Sequence, residues 1–388
     1  MGLAALLALA LGAGVGCSRG EGNASVAGTT FPPLDGATVQ LLDARALDAL
    51  PIILPELARG SLAAGGVFGP FPLGKFTGGL VVRTIGGTFL DPATQQPVAL
   101  SPVVDAQGFP EDEFDLLLGV SRGQDVSGAV ISPLSHLAAM LGAGLRLQTG
   151  ASVRAAARRA AEALSLYLGE DRRLVPFTQG VVLWDPAAPH GGTELSSGVR
   201  LGLVVAALSV RASLLGVDLE SYVSVLALDV GDGRADGLVH PPFASAVGEV
   251  TGLAGYPDDP LGRDLAGDVE AFLAGPTNES ALTVTAAADL LERLRAGRGL
   301  VLPEVPFIDA VVSPQLPGQR VVTIEGGRFE AGAQVRFDGV AAPFADVVSA
   351  TRLRAELPAD FASGSTVFVT VQNPDGLRGS RRATITLP

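Results

Sequence analysis

The spacing of apolar and polar positions changes character several times along this chain. Leu3 to Val15 is a run of 13 Leu, Ala, Gly and Val residues, with no polar side chain among them. From about residue 33 to 120, short apolar stretches alternate with turn chemistry. Gly36-Ala37-Thr38-Val39-Gln40-Leu41-Leu42 reads as one strand. Gly79 to Phe89 contains another, closed by Gly86-Gly87, and Asp91-Pro92-Ala93-Thr94 reads as a turn. From about Ser132 to Gly297 the period becomes helical. Pro133 suits the first turn of a helix running to Leu147. Ser152 can cap the next, where Val153, Ala157, Ala160, Leu164 and Tyr167 line one face, with Arg154, Arg158 and Glu162 on the solvated side. Leu195–Leu215, Leu219–Leu228, Leu261–Leu273 and Ala281–Leu294 complete a predicted bundle. From about 303 to 388 the period is two. Val322 and Ile324, Val335 and Phe337, Val367, Val369 and Val371, and Ile385 and Leu387 alternate with polar neighbours. Gly326-Gly327, Asp338-Gly339 and Asn373-Pro374-Asp375-Gly376 punctuate these strands as turns.

These patterns predict a multi-domain α+β chain with an N-terminal small β-module (33–120), a central α-helical domain (121–300) and a C-terminal β-sandwich (303–388). A length of 388 residues suits two or three domains, and 47% apolar against 17% charged residues is enough to bury cores. The 50 glycines and 27 prolines fit many turns. A formal net charge of −13 argues against nucleic acid, which needs clustered Lys and Arg. With one cysteine, Cys17, no intramolecular disulfide can form.

The apolar run at Leu3–Val15 is too short to span a bilayer as a helix and fits the core of a signal peptide. It ends in Gly14-Val15-Gly16-Cys17, which resembles the bacterial lipobox, although Gly14 stands where that motif usually has Leu. The resemblance implies a signal peptide at 1–17, diacylation of Cys17 and a secreted lipoprotein held to the membrane by its N-terminal lipid, with residues 18–32 as a tether. The expected location is the cell envelope, at the outer membrane, facing the periplasm or the surface. Leu201–Val210, the best later candidate for a span, is short and bracketed by Arg200 and Arg211.

Three motifs in the last segment occur in order. They are Val322-Thr323-Ile324-Glu325-Gly326-Gly327-Arg328-Phe329, Gly332-Ala333-Gln334-Val335-Arg336-Phe337-Asp338-Gly339 and Val371-Gln372-Asn373-Pro374-Asp375-Gly376. They resemble the IPT/TIG family, which implies an immunoglobulin-like sandwich serving as an interaction or spacer module without catalytic residues. Residues 33–120 resemble transthyretin-like or carboxypeptidase-regulatory-like β-modules of envelope proteins. Ser132-Pro133-Leu134-Ser135-His136-Leu137-Ala138 and Asp229-Val230-Gly231-Asp232-Gly233-Arg234-Ala235-Asp236-Gly237 are similar to features of multi-domain lipoproteins of high-GC bacteria.

Candidate chemistry is sparse. Gly119-Val120-Ser121-Arg122-Gly123 matches the G-x-S-x-G nucleophile elbow, with His240 downstream as a base. The residues after it do not continue as a helix, and the chain lacks alternating strand–helix units, so a loop reading is preferred. Asp229, Asp232 and Asp236 could gather carboxylates for Ca²⁺, but their spacing fails the EF-hand template. An Asp/Gly turn closing a helix is the preferred reading of them. His136, His190 and His240 are too dispersed for a zinc motif, and Trp184 and Tyr256 form no aromatic platform. The expectation is therefore a non-enzymatic envelope lipoprotein, without cofactor or catalytic residues, binding an unknown protein or polysaccharide or acting as a spacer. An envelope serine hydrolase using Ser121 and His240, and a Ca²⁺-stabilised adhesin, are the alternatives.

Overall fold

Period-two burial begins earlier than the sequence suggests. In the computed structural model the first strand, β1 (Ala24–Thr30), buries Ala24, Val26, Gly28 and Thr30 on one face. The structure describes residues 23–45, 54–101, 113–149, 151–168, 195–231, 233, 235, 238–239, 248–249, 256–257, 260–296, 306–374 and 378–388. The stretch expected as a tether thus carries a core strand. Its inward side chains are Ala, Val, Gly and Thr, too small and mixed to mark an apolar face.

Eight further strands follow: β2 (Thr38–Asp43), β3 (Glu56–Ser61), β4 (Val67–Gly74), β5 (Gly78–Ile85), β6 (Gly87–Leu90), β7 (Pro97–Leu100), β8 (Glu113–Val120) and β9 (Asp125–Ile131). One sheet has the order β4-β1-β9, with β1 antiparallel to β4 and parallel to β9. A second, antiparallel throughout, has the order β3-β2-β5-β8, and β6 pairs with β7. Because β9 pairs with β1, the β-structure reaches Ile131, past the boundary expected at 120. At the β1–β9 contact Gly28 admits close approach: a Cβ there would lie 2.0 Å from the Ala129 carbonyl oxygen.

Among the described residues the helices are α1 (Pro133–Thr149), α2 (Val153–Tyr167), α3 (Ser197–Leu215), α4 (Leu219–Val230), α5 (Arg263–Ala274) and α6 (Ala288–Ala296), close to the expected segments except that α6 begins seven residues after Ala281, where it was expected to start. Two-residue strands β10 (Leu238–Val239) and β11 (Gly248–Glu249) pair between α4 and α5. Caps set the helix ends. Ser196 and Asp218 accept from the backbone N–H groups of Val199 and Ser221, and Gly216 closes α3 in the left-handed region. Helix α3 is long and apolar enough to cross a membrane, yet 67% of its most apolar window is buried inside the protein. Its flanking Arg211 pairs with Asp268 of α5 at 2.8 Å, which marks it as the central helix of a packed bundle.

Strand residues such as Val39, Leu80, Leu116 and Ile131 and helix residues such as Leu137, Leu164, Leu203, Tyr222 and Phe272 belong to one continuous buried cluster. Sheets and helices therefore form a single packed body. A second cluster is confined to the C-terminal segment. There β12 (Phe307–Val312), β13 (Val321–Gly327), β17 (Arg352–Glu356) and β16 (Ala345–Ser349) form one four-stranded sheet. Its partner sheet has the order β15 (Val340–Ala341), β14 (Gln334–Phe337), β18 (Ser365–Gln372) and β19 (Arg378–Ile385). Every strand pair is antiparallel. Val322, Ile324, Val335, Phe337, Val369, Val371 and Ile385 all point inward, as their alternation requires.

Candidate functional site

The start of α1 is held at three levels. The Ser132 backbone N–H donates to Ser135 Oγ at 2.8 Å, and the Ser135 N–H donates back to Ser132 Oγ at 3.2 Å, a reciprocal cap around Pro133. Ser135 Oγ also donates to the Asp115 carbonyl oxygen of β8 at 2.8 Å. His136 Nδ1 accepts from the Asp115 N–H at 3.1 Å, and its ring meets Phe114 edge-on. Burial lowers the His136 pKa, so its imidazole is the neutral form with the proton on Nε2. The Ser132–Ala138 motif is thus the clamp that fixes α1 to β8.

Beneath it lies a buried charge cluster. The Arg83 guanidinium of β5 donates two hydrogen bonds to Asp115, at 2.9 and 2.8 Å, and its Nε lies 2.7 Å from Glu113 Oε2. Burial works against the Arg83 charge, but the Asp115 carboxylate, with its two hydrogen bonds, does most to outweigh it and raise the pKa. Burial, together with the Asp115 and Glu220 carboxylates, pushes Glu113 up to about 9 against the pull of Arg83, so Glu113 is protonated at neutral pH. Glu220, on α4, accepts from Ser224 Oγ at 2.6 Å. Sequence reasoning missed this cluster, because its members come from three distant segments.

Ser121 occupies a β-turn rather than an elbow between strand and helix. The Gln124 N–H donates to the Ser121 carbonyl at 3.0 Å, the Ser121 N–H donates to Gln124 Oε1 at 2.9 Å, and Gly123 takes a φ of 69°. The chain passes from β8 into β9. Arg154 of α2 donates to Ser121 Oγ at 2.7 Å. Gly119 has a packing reason of its own. It faces Gly79 across the β5–β8 ladder, and the two bare positions receive Val153 and Arg154 at the start of α2. His240 and His190 lie outside the described residues, as do Cys17 and Trp184.

Asp229 is buried at the end of α4, where its carboxylate accepts from the Tyr256 hydroxyl at 2.8 Å. Asp232 and Asp236 lie outside the described residues, and no cluster of His, Cys, Asp or Glu suited to a metal occurs among those described.

A cleft of about 320 Å³ opens between β8–β9 and α1–α2. Leu116 and Leu118 of β8 and Ala138 of α1 line its apolar part. Arg154 and Arg158, one helical turn apart on α2, stand on one side, and Asp125 and Ser127 of β9 on the other.

In the C-terminal sandwich the turn residues do structural work. Asp338 and Gly339 both adopt positive φ, 48° and 83°, as a tight hairpin between β14 and β15 requires. Asn373, almost fully buried, donates to the Arg328 carbonyl at 2.7 Å and accepts from the Glu330 N–H at 3.2 Å. It ties the end of β18 to the loop after β13. Residues 306–385 match the family model of the IPT/TIG domain. The immunoglobulin-like fold expected from the three motifs is therefore present, and with it the mixed α+β class of the chain. No curated protein matches the chain. The IPT/TIG domain leaves Val340, Phe344 and Val348 about half exposed on and beside β15 and β16, each at the edge of its sheet. Its family suggests a binding or immunoglobulin-like module for residues 306–385.

Proposed function

We propose that this protein is a non-enzymatic cell-envelope lipoprotein, anchored by a diacylated Cys17, that acts as a binding or spacer protein through its IPT/TIG domain and its helical body. The observation that carries the reading is the match of residues 306–385 to an interaction-module family, combined with a buried core that the domain shares with no other described part of the chain. The lone cysteine directly after an apolar run supports the anchor. Exposed apolar side chains at the sandwich edge support contact with a protein or polysaccharide partner. At the outer membrane, the anchor would hold the body at the bilayer and leave the sandwich, at the other end of the chain, to make contact.

The test is fractionation of bacteria expressing the full chain or its Cys17→Ala variant, with radiolabelled palmitate in the medium. The wild type should take up label and sediment with membranes, and the variant should do neither. Unlabelled wild type that remains soluble in the periplasm or medium would overturn the anchor. Retention of both in the cytoplasm would overturn the envelope assignment itself.

A further inference from the structure

The cleft beside α2 has an unusual distribution of charge for its size. Two arginines project from one helix wall at i and i+4, while the facing strand presents the Asp125 carboxylate, and Ser127, two residues on, shares its strand face. Between them the lining is mostly apolar, with Leu116, Leu117, Leu118, Val126 and the alanines of α1 and α2, interrupted by Gln124 and Ser135.

Each wall excludes a class of ligand. A purely anionic molecule would meet Asp125, and a purely cationic one would meet Arg154 and Arg158. A neutral apolar molecule would meet the leucines but engage none of the three charges. A small molecule carrying both charges and a short hydrocarbon part satisfies all three surfaces. We propose that this cleft binds a zwitterionic α-amino acid with an aliphatic side chain: its carboxylate toward Arg154 and Arg158, its ammonium toward Asp125, its side chain against Leu116 and Leu118.

The walls are prepared for this to different degrees. Arg154 is positioned by its hydrogen bond to Ser121, which occupies one of five guanidinium donors. Arg158 lies 3.8 Å from Glu162, beyond hydrogen-bond distance, with its side chain 66% exposed, so it can turn to a carboxylate at little cost. Asp125 is steadied by the Ser25 hydroxyl of β1 at 2.7 Å. The Arg154–Ser121 contact thus gives the G-x-S-x-G segment a role in binding without a nucleophile. The proposal does not depend on the anchor at Cys17.

Isothermal titration calorimetry on the full chain, with L-leucine, L-valine and L-alanine as probes, tests it. At least one should bind saturably at one site per chain. For leucine, 4-methylpentanoate, which lacks the ammonium, and isoamylamine, which lacks the carboxylate, should each bind at least about tenfold more weakly, since each forfeits a charge-assisted contact. Arg158→Gln should weaken binding about as much, and its exposure leaves the fold intact. Asp125→Asn should do the same, and its melting temperature shows whether losing the Ser25 contact disturbs the fold. No saturable heat with any of the three amino acids would overturn the proposal. So would 4-methylpentanoate binding as tightly as leucine, or Arg158→Gln binding like the wild type.

Discussion

A methyl group added at Gly119 would sit 2.5 Å from Arg154 Cβ and 2.8 Å from Arg154 Cα. Nothing short of moving α2 relieves that contact, so Gly119→Ala should cost about 1–3 kcal/mol of overpacking, read from the urea midpoint. Ser121→Ala removes one partly exposed hydrogen bond and should cost less than about 1 kcal/mol. A motif that looks catalytic in the sequence is therefore more sensitive at its first glycine than at its serine. Glu113 gives a second residue-scale test. Its folded pKa, about 9, lies above the ordinary 4.5, so the folded state holds a proton that the unfolded chain releases. Stability from this group is complete below about pH 4.5 and is lost as pH rises toward 9. Asp268, raised to about 6 mainly by burial, adds the same sign over the lower part of that range. The melting temperature should fall from pH 7 to pH 9, above the range in which the buried neutral His136 works in the opposite direction, and Glu113→Gln should flatten most of the fall. A melting temperature that rises through this window would contradict the assignment.

Elements differ in how plainly the sequence announces them. The helices described were legible because large apolar residues recur at the helical period, with Pro133 and Ser152 marking the starts of α1 and α2. The sandwich strands were legible because Val and Ile alternate with Thr and Glu. Strands β1 and β9 were not. Ala24, Val26, Gly28 and Thr30 bury one face of β1 with little bulk, and β9 lies after a turn that resembles an interdomain loop. Strand β17, Arg352-Leu353-Arg354-Ala355-Glu356, escaped for a related reason: only two of its residues point inward. The turn at Asp91–Thr94 was expected, but its anchor was not. Asp91 Oδ1 accepts from the Ala93 and Thr94 N–H groups, the Thr94 hydroxyl and the Ser209 hydroxyl of α3. This one carboxylate docks the β6–β7 hairpin on the central helix. Asp91→Ala takes this acceptor from the buried Ser209 hydroxyl, leaves the Ala93 N–H only its contact with Ser209 Oγ, and should destabilise the body by about 1–3 kcal/mol. Hydrogen exchange should rise first in β6 and β7.

At the scale of the whole molecule, three segments were expected, and the described residues bury two large cores, with a smaller cluster of Leu42, Ala44, Val81, Leu117, Ala139 and Val153 beside the first. Sheets and helices before residue 297 share one, and the IPT/TIG domain has its own. Periodicity reports which way a residue faces and not what it meets, so it separated the strands from the helices but did not show that they close on each other. The cleft escaped for the same reason: Asp125, Ala138 and Arg158 come together only when β9, α1 and α2 pack. What did survive from sequence to structure is the sandwich, where motif order, register and buried face agree.

The account turns on that sandwich being a module apart from the body, and calorimetry of the full chain with one leucine shortened in each core tests this most directly. Leu353 and Leu203 are both fully buried, in the IPT/TIG domain and the helical body respectively. Each Leu→Ala change should remove about 2–5 kcal/mol from its own unit. Leu353→Ala should lower one unfolding transition and leave the other in place, and Leu203→Ala should do the reverse. A single transition lowered alike by both substitutions would show one cooperative unit and contradict the modular reading.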